Sequence, residues 1–118
     1  MALQDDIYFA GFFDGEGSCG IYDSKNQAQF RVSLCNNVRD PLDIAGALYG
    51  GRVRDRYRYY NGQLTCNWEW YVHGENSERF LEAVYPYLTV KKEQVNVFLL
   101  ARKFVASRGN NLGNSLLE

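Results

Sequence analysis

The sequence contains few of the residues that build disulfide-bonded or zinc-binding proteins. Among its 118 residues there is one histidine, His73, and there are three cysteines, Cys19, Cys35 and Cys66. The cysteines are widely spaced, odd in number and form no CxxC pair, so we expect neither a disulfide framework nor a zinc site. They favour a reducing, intracellular compartment, and we expect them to act as packing residues.

The sequence also lacks a long apolar run and an excess of positive charge. No run is long enough to span a bilayer, and the acidic residues 1–6 are unlike a secretory signal peptide, so we predict a protein that is not secreted. The formal net charge is −1, but the charges are segregated. Residues 25–58 contain seven basic and three acidic side chains, whereas residues 75–82 are net acidic. This segregation predicts one basic surface of the kind that meets a polyanion.

Hydrophobic and aromatic residues are abundant, and their pattern predicts a single folded domain. The chain is 46% hydrophobic and 15% aromatic, which is too rich in core residues for a disordered chain. We expect the domain to span residues 1–105 and the Ser-, Gly- and Asn-rich residues 106–118 to form a flexible tail. The predicted elements are a helix at about 5–14, strands at 18–22 and 27–36, a helix at 40–49, strands at 52–60 and 63–73, and helices at 76–85 and 89–104.

Strict alternation in the strands predicts an antiparallel sheet with one apolar and one polar face. Asp40 is expected to be the N-cap of the second helix, ahead of Pro41, and Asn61-Gly62 predicts a tight hairpin turn. The order αββαββαα defines an α+β fold with a four-stranded antiparallel sheet. The residues predicted to face the core are Ala28, Phe30, Val32, Leu34, Leu64, Cys66, Trp68, Trp70 and Val72, with Leu42, Ile44, Ala45 and Leu48 on the second helix.

Arginines and amides dominate the opposite face of the predicted sheet. Such side chains read base edges in the DNA major groove, where Arg pairs with guanine and Gln or Asn with adenine. The alternative is the ordinary solvated side of an antiparallel sheet, although four arginines in alternation argue against it. The candidate DNA-binding residues are Lys25, Gln27, Gln29, Arg31, Ser33, Arg52, Arg54, Arg56, Arg58, Thr65, Asn67, Glu69 and Tyr71.

The first helix combines two glycines with a carboxylate at its end. Gly11 and Gly15 are four residues apart, and each costs roughly 1 kcal/mol relative to alanine inside a helix, which close approach of another backbone would explain. The following DGEGS segment is expected to be a turn that presents Glu16. A calcium-binding loop is excluded because the twelfth position from Asp14 is Lys25 instead of a glutamate. We expect Asp14 to stabilise the helix end.

Residues 9–17, FAGFFDGEG, resemble the nine-residue motif of the LAGLIDADG homing endonucleases at every position. Residues 49–53, YGGRV, are similar to the family's glycine-rich entry to the third strand. Residues 85–94, YPYLTVKKEQ, resemble the segment that carries the family's lysine. The resemblance covers about residues 7–104 and includes the order of the predicted elements.

The resemblance implies a dimer and a metal site. A chain with one motif would form a homodimer through Gly11, Phe12 and Gly15, which brings the two Glu16 side chains together. Glu16 and the Gly15 carbonyl would be metal ligands for Mg²⁺ or Mn²⁺, whereas Ca²⁺ would bind without supporting cleavage. The alternative for Glu16 is an exposed carboxylate at a helix end.

Two further catalytic residues follow from the resemblance alone. Lys91 would lie beside the scissile phosphate, with Lys92 as the second choice and a solvated helix residue as the alternative. Asn36 would be the polar residue that organises the attacking water, at the end of the second strand. A shift of two residues would put Leu34 there instead, and Asn37 is a further candidate.

The function implied is that of an intron-encoded, site-specific endonuclease. It would cleave both strands of a long pseudo-palindromic DNA target by metal-dependent hydrolysis, in a bacterial, phage-host or organellar DNA compartment. One alternative is a cleavage-deficient DNA-binding protein or intron RNA maturase on the same fold. Another is an oligomeric structural module without affinity for DNA.

Overall fold

The computed structural model describes residues 3–25 and 27–107, and the predicted αββαββαα order is confirmed. No helix in these two ranges is long and apolar enough to cross a membrane. Residues 108–118 of the predicted tail lie outside the described residues. The elements are α1 (Leu3–Glu16), β1 (Gly17–Ser24), β2 (Gln27–Asn36), α2 (Asp40–Tyr49), β3 (Arg52–Tyr60), β4 (Gln63–His73), α3 (Glu75–Val84), a short 3₁₀ turn (Tyr85–Tyr87) and α4 (Lys92–Ser107).

The four strands form one antiparallel sheet in the order β1-β2-β4-β3. The helices cover one face of it, where apolar residues of α1, α2, α3 and α4 pack with Phe30, Val32 and Leu34 of β2 and with Trp70 and Val72 of β4. Trp70 lies at the centre, fully buried, and its indole N–H donates to the Gly50 carbonyl at 2.7 Å. The other face of the sheet holds the polar residues.

Helix α1 runs two residues further than predicted and leads directly into β1. Asp14, Gly15 and Glu16 therefore form its last turn, and the expected DGEGS turn is wrong. The chain reverses closely against the buried Phe13 ring, which a Cβ at Gly17 would overlap. Gly17 thus allows the helix and strand to join without a loop, and this joint determines where Glu16 lies.

The starts of two later helices also differ from the prediction. Arg39, not Asp40, is the N-cap of α2, and its side chain pairs with Asp43 at 3.1 Å. Helix α4 begins at Lys92 instead of Thr89 because the N–H groups of residues 89–91 bond to Asp14. Ile44, predicted for the apolar side of α2, is 52% exposed.

The β3–β4 hairpin extends beyond the helices. Its turn is as predicted, with positive φ angles of 51° at Asn61 and 79° at Gly62. Leu64 and Cys66 have the correct strand parity for the core, but both are exposed because no helix reaches this end of the hairpin within the described chain. Their assignment to the core was wrong, as was a packing role for Cys66.

Candidate nucleic-acid interface and catalytic edge

The predicted polar residues of the strands share one face of the sheet. The register places Arg52, Arg54, Arg56 and Arg58 of β3 directly opposite Tyr71, Glu69, Asn67 and Thr65 of β4. Pairing of β2 with β4 and β1 adds residues that the sequence pattern had not assigned to this face. These are Ser18, Tyr22, Cys35 and His73.

The charge of this face is strongly positive although the chain as a whole is not. At the strand positions that point to it there are five arginines, Arg31 among them, and one carboxylate, Glu69. Asp23 and Asp55 have the opposite parity and point to the other side of the sheet. The segregation expected from the sequence is therefore produced by strand alternation.

Glu69 lies at the centre of the face and is 8% exposed. One oxygen, Oε1, accepts from the Nε and Nη2 groups of Arg54 at 2.8 and 2.7 Å. The other oxygen is 3.8 Å from Nη1 of Arg56, which donates to the Cys35 sulfur at 3.0 Å. The hydrogen bonding to Glu69 raises the pKa of Arg54 above its ordinary value.

Contacts between neighbouring strands order the β1–β2 side of the face. The guanidinium of Arg31 lies 4.3 Å from the centre of the Tyr22 ring, and the hydroxyls of Ser18 and Ser33 are 3.0 Å apart. Gln27 is exposed and Gln29 is half-buried on the same strand. Lys25 occupies the hairpin turn with a φ of 53°, outside the strand ladder.

Glu16 opens into the same depression as the arginines. The depression has a volume of about 410 Å³ and lies along the polar face where α1 meets β1. Glu16 is exposed there, and the neighbouring Gly15 is exposed as well. The structure thus brings the predicted metal-binding carboxylate to the edge of the basic face. The depression is lined by Glu16, Ser18, Tyr22, Arg31, Ser33, Cys35, Arg54, Arg56, Arg58 and Glu69.

Asp14 and Lys91 join the end of α1 to the approach to α4. The Asp14 carboxylate accepts backbone N–H bonds from Thr89, Val90 and Lys91 at 2.7, 3.0 and 3.0 Å. Partial burial raises the pKa of Asp14, but these bonds and the Lys91 charge outweigh it, and the net result is a lowered pKa. Asp14 was expected to stabilise the end of its own helix, whereas its hydrogen bonds go to the backbone ahead of α4.

The Lys91 side chain returns to the α1–β1 junction. Its Nζ group donates to the carbonyl oxygens of Phe13, at 3.2 Å, and of Gly17. These two carbonyls flank Gly15 and Glu16 in the sequence, so Lys91 holds the backbone on both sides of the predicted ligands. Lys92 lies elsewhere, with its Nζ 5.0 Å from the Tyr85 ring centre.

Asn36 is not brought to this site. It has the strand parity of Leu34 and lies opposite Trp68 on the helix-covered side of the sheet. Its Oδ1 accepts the Val38 backbone N–H at 2.8 Å, which makes a local turn between β2 and α2. Among the residues that line the depression, Ser33 and Cys35 are the polar groups supplied by the end of β2.

One side of α1 is apolar, exposed and free of large side chains at its centre. Leu3 and Ile7 are 58% and 47% exposed, and they are followed at the same helical spacing by Gly11 and Gly15. A Cβ at either glycine would meet no other part of the described chain within 4 Å. Phe12 is half-buried beside this stripe and packs on the core cluster. The glycines therefore have no packing role within the described chain.

One chain supplies few ligands to a metal ion. Within residues 3–25 and 27–107 there is no group of three or more His, Cys, Asp or Glu side chains that would hold a metal ion. Glu16 and Gly15 are exposed residues at the end of α1, and their carboxylate and carbonyl oxygens are the candidate donors. Such a donor set suits Mg²⁺, which takes one or two carboxylates and completes its shell with water and substrate phosphates.

Comparison with known proteins gives strong similarity of structure and weak similarity of sequence. No protein-family model matches the chain. It is 28% identical over 86 residues to the reverse gyrase of Thermococcus kodakarensis. That match covers 72% of this chain but spans only 5% of the reverse gyrase.

Several solved structures are similar over nearly the whole chain. The homing endonuclease I-CvuI in complex with its target superposes with a TM-score of 0.70 and 21% identity, covering 90% of this chain and 70% of I-CvuI. The archaeal intron-encoded homing endonuclease I-Vdi141I, complexed with DNA, has a TM-score of 0.68 and 18% identity, over 88% and 70%. The LAGLIDADG meganuclease I-AabMI, bound to uncleaved DNA, has a TM-score of 0.61 and 18% identity, over 92% and 40%. The resemblance inferred from the motif is confirmed, and the chain has the fold of the LAGLIDADG homing endonucleases.

Proposed function

We propose that the chain is a site-specific DNA endonuclease that acts as a homodimer and cleaves both strands of a pseudo-palindromic target. The observation that carries this proposal is the position of Glu16 in the depression lined by the arginines. The carboxylate proposed to bind the metal ion therefore lies beside the basic surface proposed to bind DNA, at one edge of the sheet. The similar structure of I-CvuI is a complex with its target and that of I-Vdi141I is a complex with DNA, which supports the choice of substrate.

The polar face is proposed to lie along the major groove. A sheet or ribbon enters this groove, where arginine donates to guanine and amide side chains pair with adenine. Five arginines against one buried carboxylate provide the attraction to phosphates that the net charge of −1 does not suggest. We expect the exposed residues of this face, such as Arg52, Arg58 and Gln27, to contact bases or phosphates.

The dimer is proposed to form through the exposed stripe of α1. Gly11 and Gly15 leave room for a second backbone, and flanking Leu3 and Ile7 supply apolar surface. Two copies would bring two Glu16 side chains together, so that two carboxylates would meet at the dimer axis. A two-fold axis through α1 also matches a target made of two similar half-sites.

Glu16 and the Gly15 carbonyl would hold a divalent cation, proposed to be Mg²⁺ or Mn²⁺, with Ca²⁺ binding but not supporting cleavage. When bound, such an ion stabilises negative charge on a phosphoryl oxygen and promotes ionisation of water. The chain itself fixes the ligands: Lys91 holds the carbonyls of Phe13 and Gly17 around them. That Lys91 lies beside the scissile phosphate remains a prediction. That the protein acts in an intracellular DNA compartment also remains a prediction.

The test starts from a plasmid library that carries randomised inserts, incubated with purified protein and MgCl₂. We expect double-strand breaks at a small set of related sites, and none with EDTA. Sedimentation should show a dimer bound per site. Tight, selective DNA binding without breaks under any divalent cation would favour a cleavage-deficient DNA-binding protein, and selective binding of intron RNA would favour a maturase.

Glu16→Gln is the variant that tests the metal assignment. It removes one charge from an exposed side chain and leaves its size unchanged, so folding and dimerisation should persist. Loss of a metal ligand should lower the cleavage rate by about a thousandfold, since charge stabilisation by a metal ion is worth several kcal/mol. Cleavage at the wild-type rate would contradict the role of Glu16.

A further inference from the structure

We infer that Glu69 is a positioning residue that presents the outer edge of Arg54 to a guanine in each half-site. This inference rests on the proposed function, and it separates Glu69 from the side chains that contact DNA. Strand parity alone groups Glu69 with the base-contacting residues. The structure gives it a different environment.

Burial and pairing restrict the access of a base to Glu69. The residue is 8% exposed, and Oε1 accepts two N–H groups of Arg54. Oε2 lies between Arg56 Nη1, at 3.8 Å, and the Cys35 sulfur, at 3.9 Å. A cytosine amine would have to displace an ion pair to reach either oxygen, which makes direct readout by this carboxylate unfavourable.

Arg54 is held in the orientation that bidentate readout requires. Its Nε and one N–H of Nη2 are occupied by Glu69, and three of its five N–H donors remain. Its guanidinium also lies 4.6 Å from the centre of the Tyr71 ring, and its side chain is 50% exposed. The carboxylate below and the ring beside it leave the Nη1–Nη2 edge available for the O6 and N7 atoms of guanine.

Fixing this arginine before binding lowers the entropy lost when the complex forms. An unconstrained arginine loses much of its rotamer freedom at an interface, whereas a side chain held by an ion pair and a ring has already lost it. Arg54 is therefore assigned to specificity, and Glu69 acts through it. Arg56 is held less tightly, because its closest partner in the cluster is the Cys35 sulfur.

The first experiment selects binding sites for each protein from a randomised duplex library, with the full chain in every case. The wild type should enrich guanine at one position of each half-site by about tenfold over the other bases. Arg54→Lys and Glu69→Ala should each lose this preference at the same position, and the double variant should lose no more. Glu69→Gln keeps an acceptor oxygen, so this variant should lose only part of the guanine preference.

Glu82→Gln is the control, because it makes the same change in net charge at an exposed position of α3. It should leave every base preference unchanged. If Glu69→Ala instead removes a cytosine preference that Arg54→Lys retains, Glu69 contacts the base directly and the inference is wrong. Unchanged guanine enrichment by a folded Glu69→Ala protein would overturn it as well.

A second measurement needs no DNA. In the free protein, the Nε–H group of Arg54 should give a slowly exchanging ¹⁵N–¹H signal that Glu69→Ala abolishes, while backbone signals of the core persist. A rapidly exchanging wild-type signal would contradict positioning by Glu69. If the wild-type protein enriches no sequence but shows the protected signal, the proposed function and the guanine assignment are both wrong. The ion pair between Arg54 and Glu69 would still be supported.

Discussion

The α1–β1 junction and the tip of the β3–β4 hairpin hold their side chains in opposite ways. At the junction, the Asp14 carboxylate accepts the backbone N–H of Lys91, and the Lys91 side chain donates to carbonyls on both sides of Glu16. At the tip, Tyr59 and Tyr60 are 78% and 72% exposed, and the regular strand ladder is the main support. The first region is braced from a distant segment, whereas the second is held by its neighbours.

This difference corresponds to the two tasks proposed for the molecule. A group that binds a metal ion must be held closely in place, and contacts from a remote part of the chain restrain it in several directions. Side chains that contact DNA act more independently. They must lie on the same face of the sheet, but they do not need contacts from a distant segment to hold them. Substitutions near α1 should therefore affect DNA cleavage as a whole, whereas each substitution at the hairpin tip should affect only the DNA contact that its side chain makes.

Gly11→Leu should produce the largest loss of activity, because it acts on assembly and cleavage together. Nothing in the described chain lies within 4 Å of a Cβ at this position, so the folded monomer should tolerate leucine and gain helix propensity. A second α1 helix would no longer approach closely. We expect analytical ultracentrifugation to show a monomer, and double-strand cleavage to fall below detection.

Gly11→Ala is the matched control for this change. Its single methyl group should raise thermal stability slightly, by up to about 1 kcal/mol, and weaken the dimer far less than leucine does. A Gly11→Leu protein that remains dimeric and active would show that the subunits meet elsewhere and that α1 does not unite assembly with catalysis.

Asp14→Ala tests the hydrogen bonds between Asp14 and residues 89–91, and it should mainly lower the free energy of unfolding. The change leaves three backbone N–H groups without their acceptor, and by analogy with loss of a helix cap it should cost about 2 kcal/mol at pH 7. The lowered pKa of Asp14 gives the sign of the pH dependence. The stabilisation is complete above the pKa of the unfolded chain, about 3.9, and is lost as pH falls through the lower folded value.

Chemical denaturation of both proteins at several pH values checks this expectation. The difference in unfolding free energy should be constant between about pH 5 and 8 and should shrink below about pH 4. Asp43→Ala is the control, because its exposed pair with Arg39 should contribute less than about 0.5 kcal/mol. A difference that stays constant down to pH 2 would show that the charge of Asp14 is not what matters.

The sheet was predictable from the sequence because its periodicity is strict. The bounds of β2, β3 and β4 agree with the prediction, and the Asn61-Gly62 turn identifies its hairpin by chemistry alone. The motif at residues 9–17 also indicated the fold and the glycine stripe. These features depend on neighbours in the sequence, which a pattern of residues can report.

The contacts between distant segments were not predictable in the same way. Thr89 reads as a helix start, but its N–H bonds to Asp14 and α4 begins three residues later. Glu69 reads as an outward-facing polar residue, whereas the arginines around it leave it buried. Asn36 was placed at the site by resemblance, and the structure turns it to the opposite side of the sheet. For Thr89 and Glu69 the partner lies on another element.

Arg58→Ala should have the smallest effect, and it tests the arginine of the polar face that lies nearest the tip. Arg58 is exposed two residues beyond Arg56; it lines the depression but is not one of the two arginines that pair with Glu69. If it contacts a phosphate, its loss should weaken DNA binding a few-fold and reduce the dependence of log Kd on log salt by about 0.9, equally for all sequences. Tyr59→Ala, on the opposite side of the same tip, should change neither quantity. A loss of cleavage or dimerisation caused by Arg58→Ala would show that the tip is coupled to the α1 junction, and the contrast between the two regions would then be wrong.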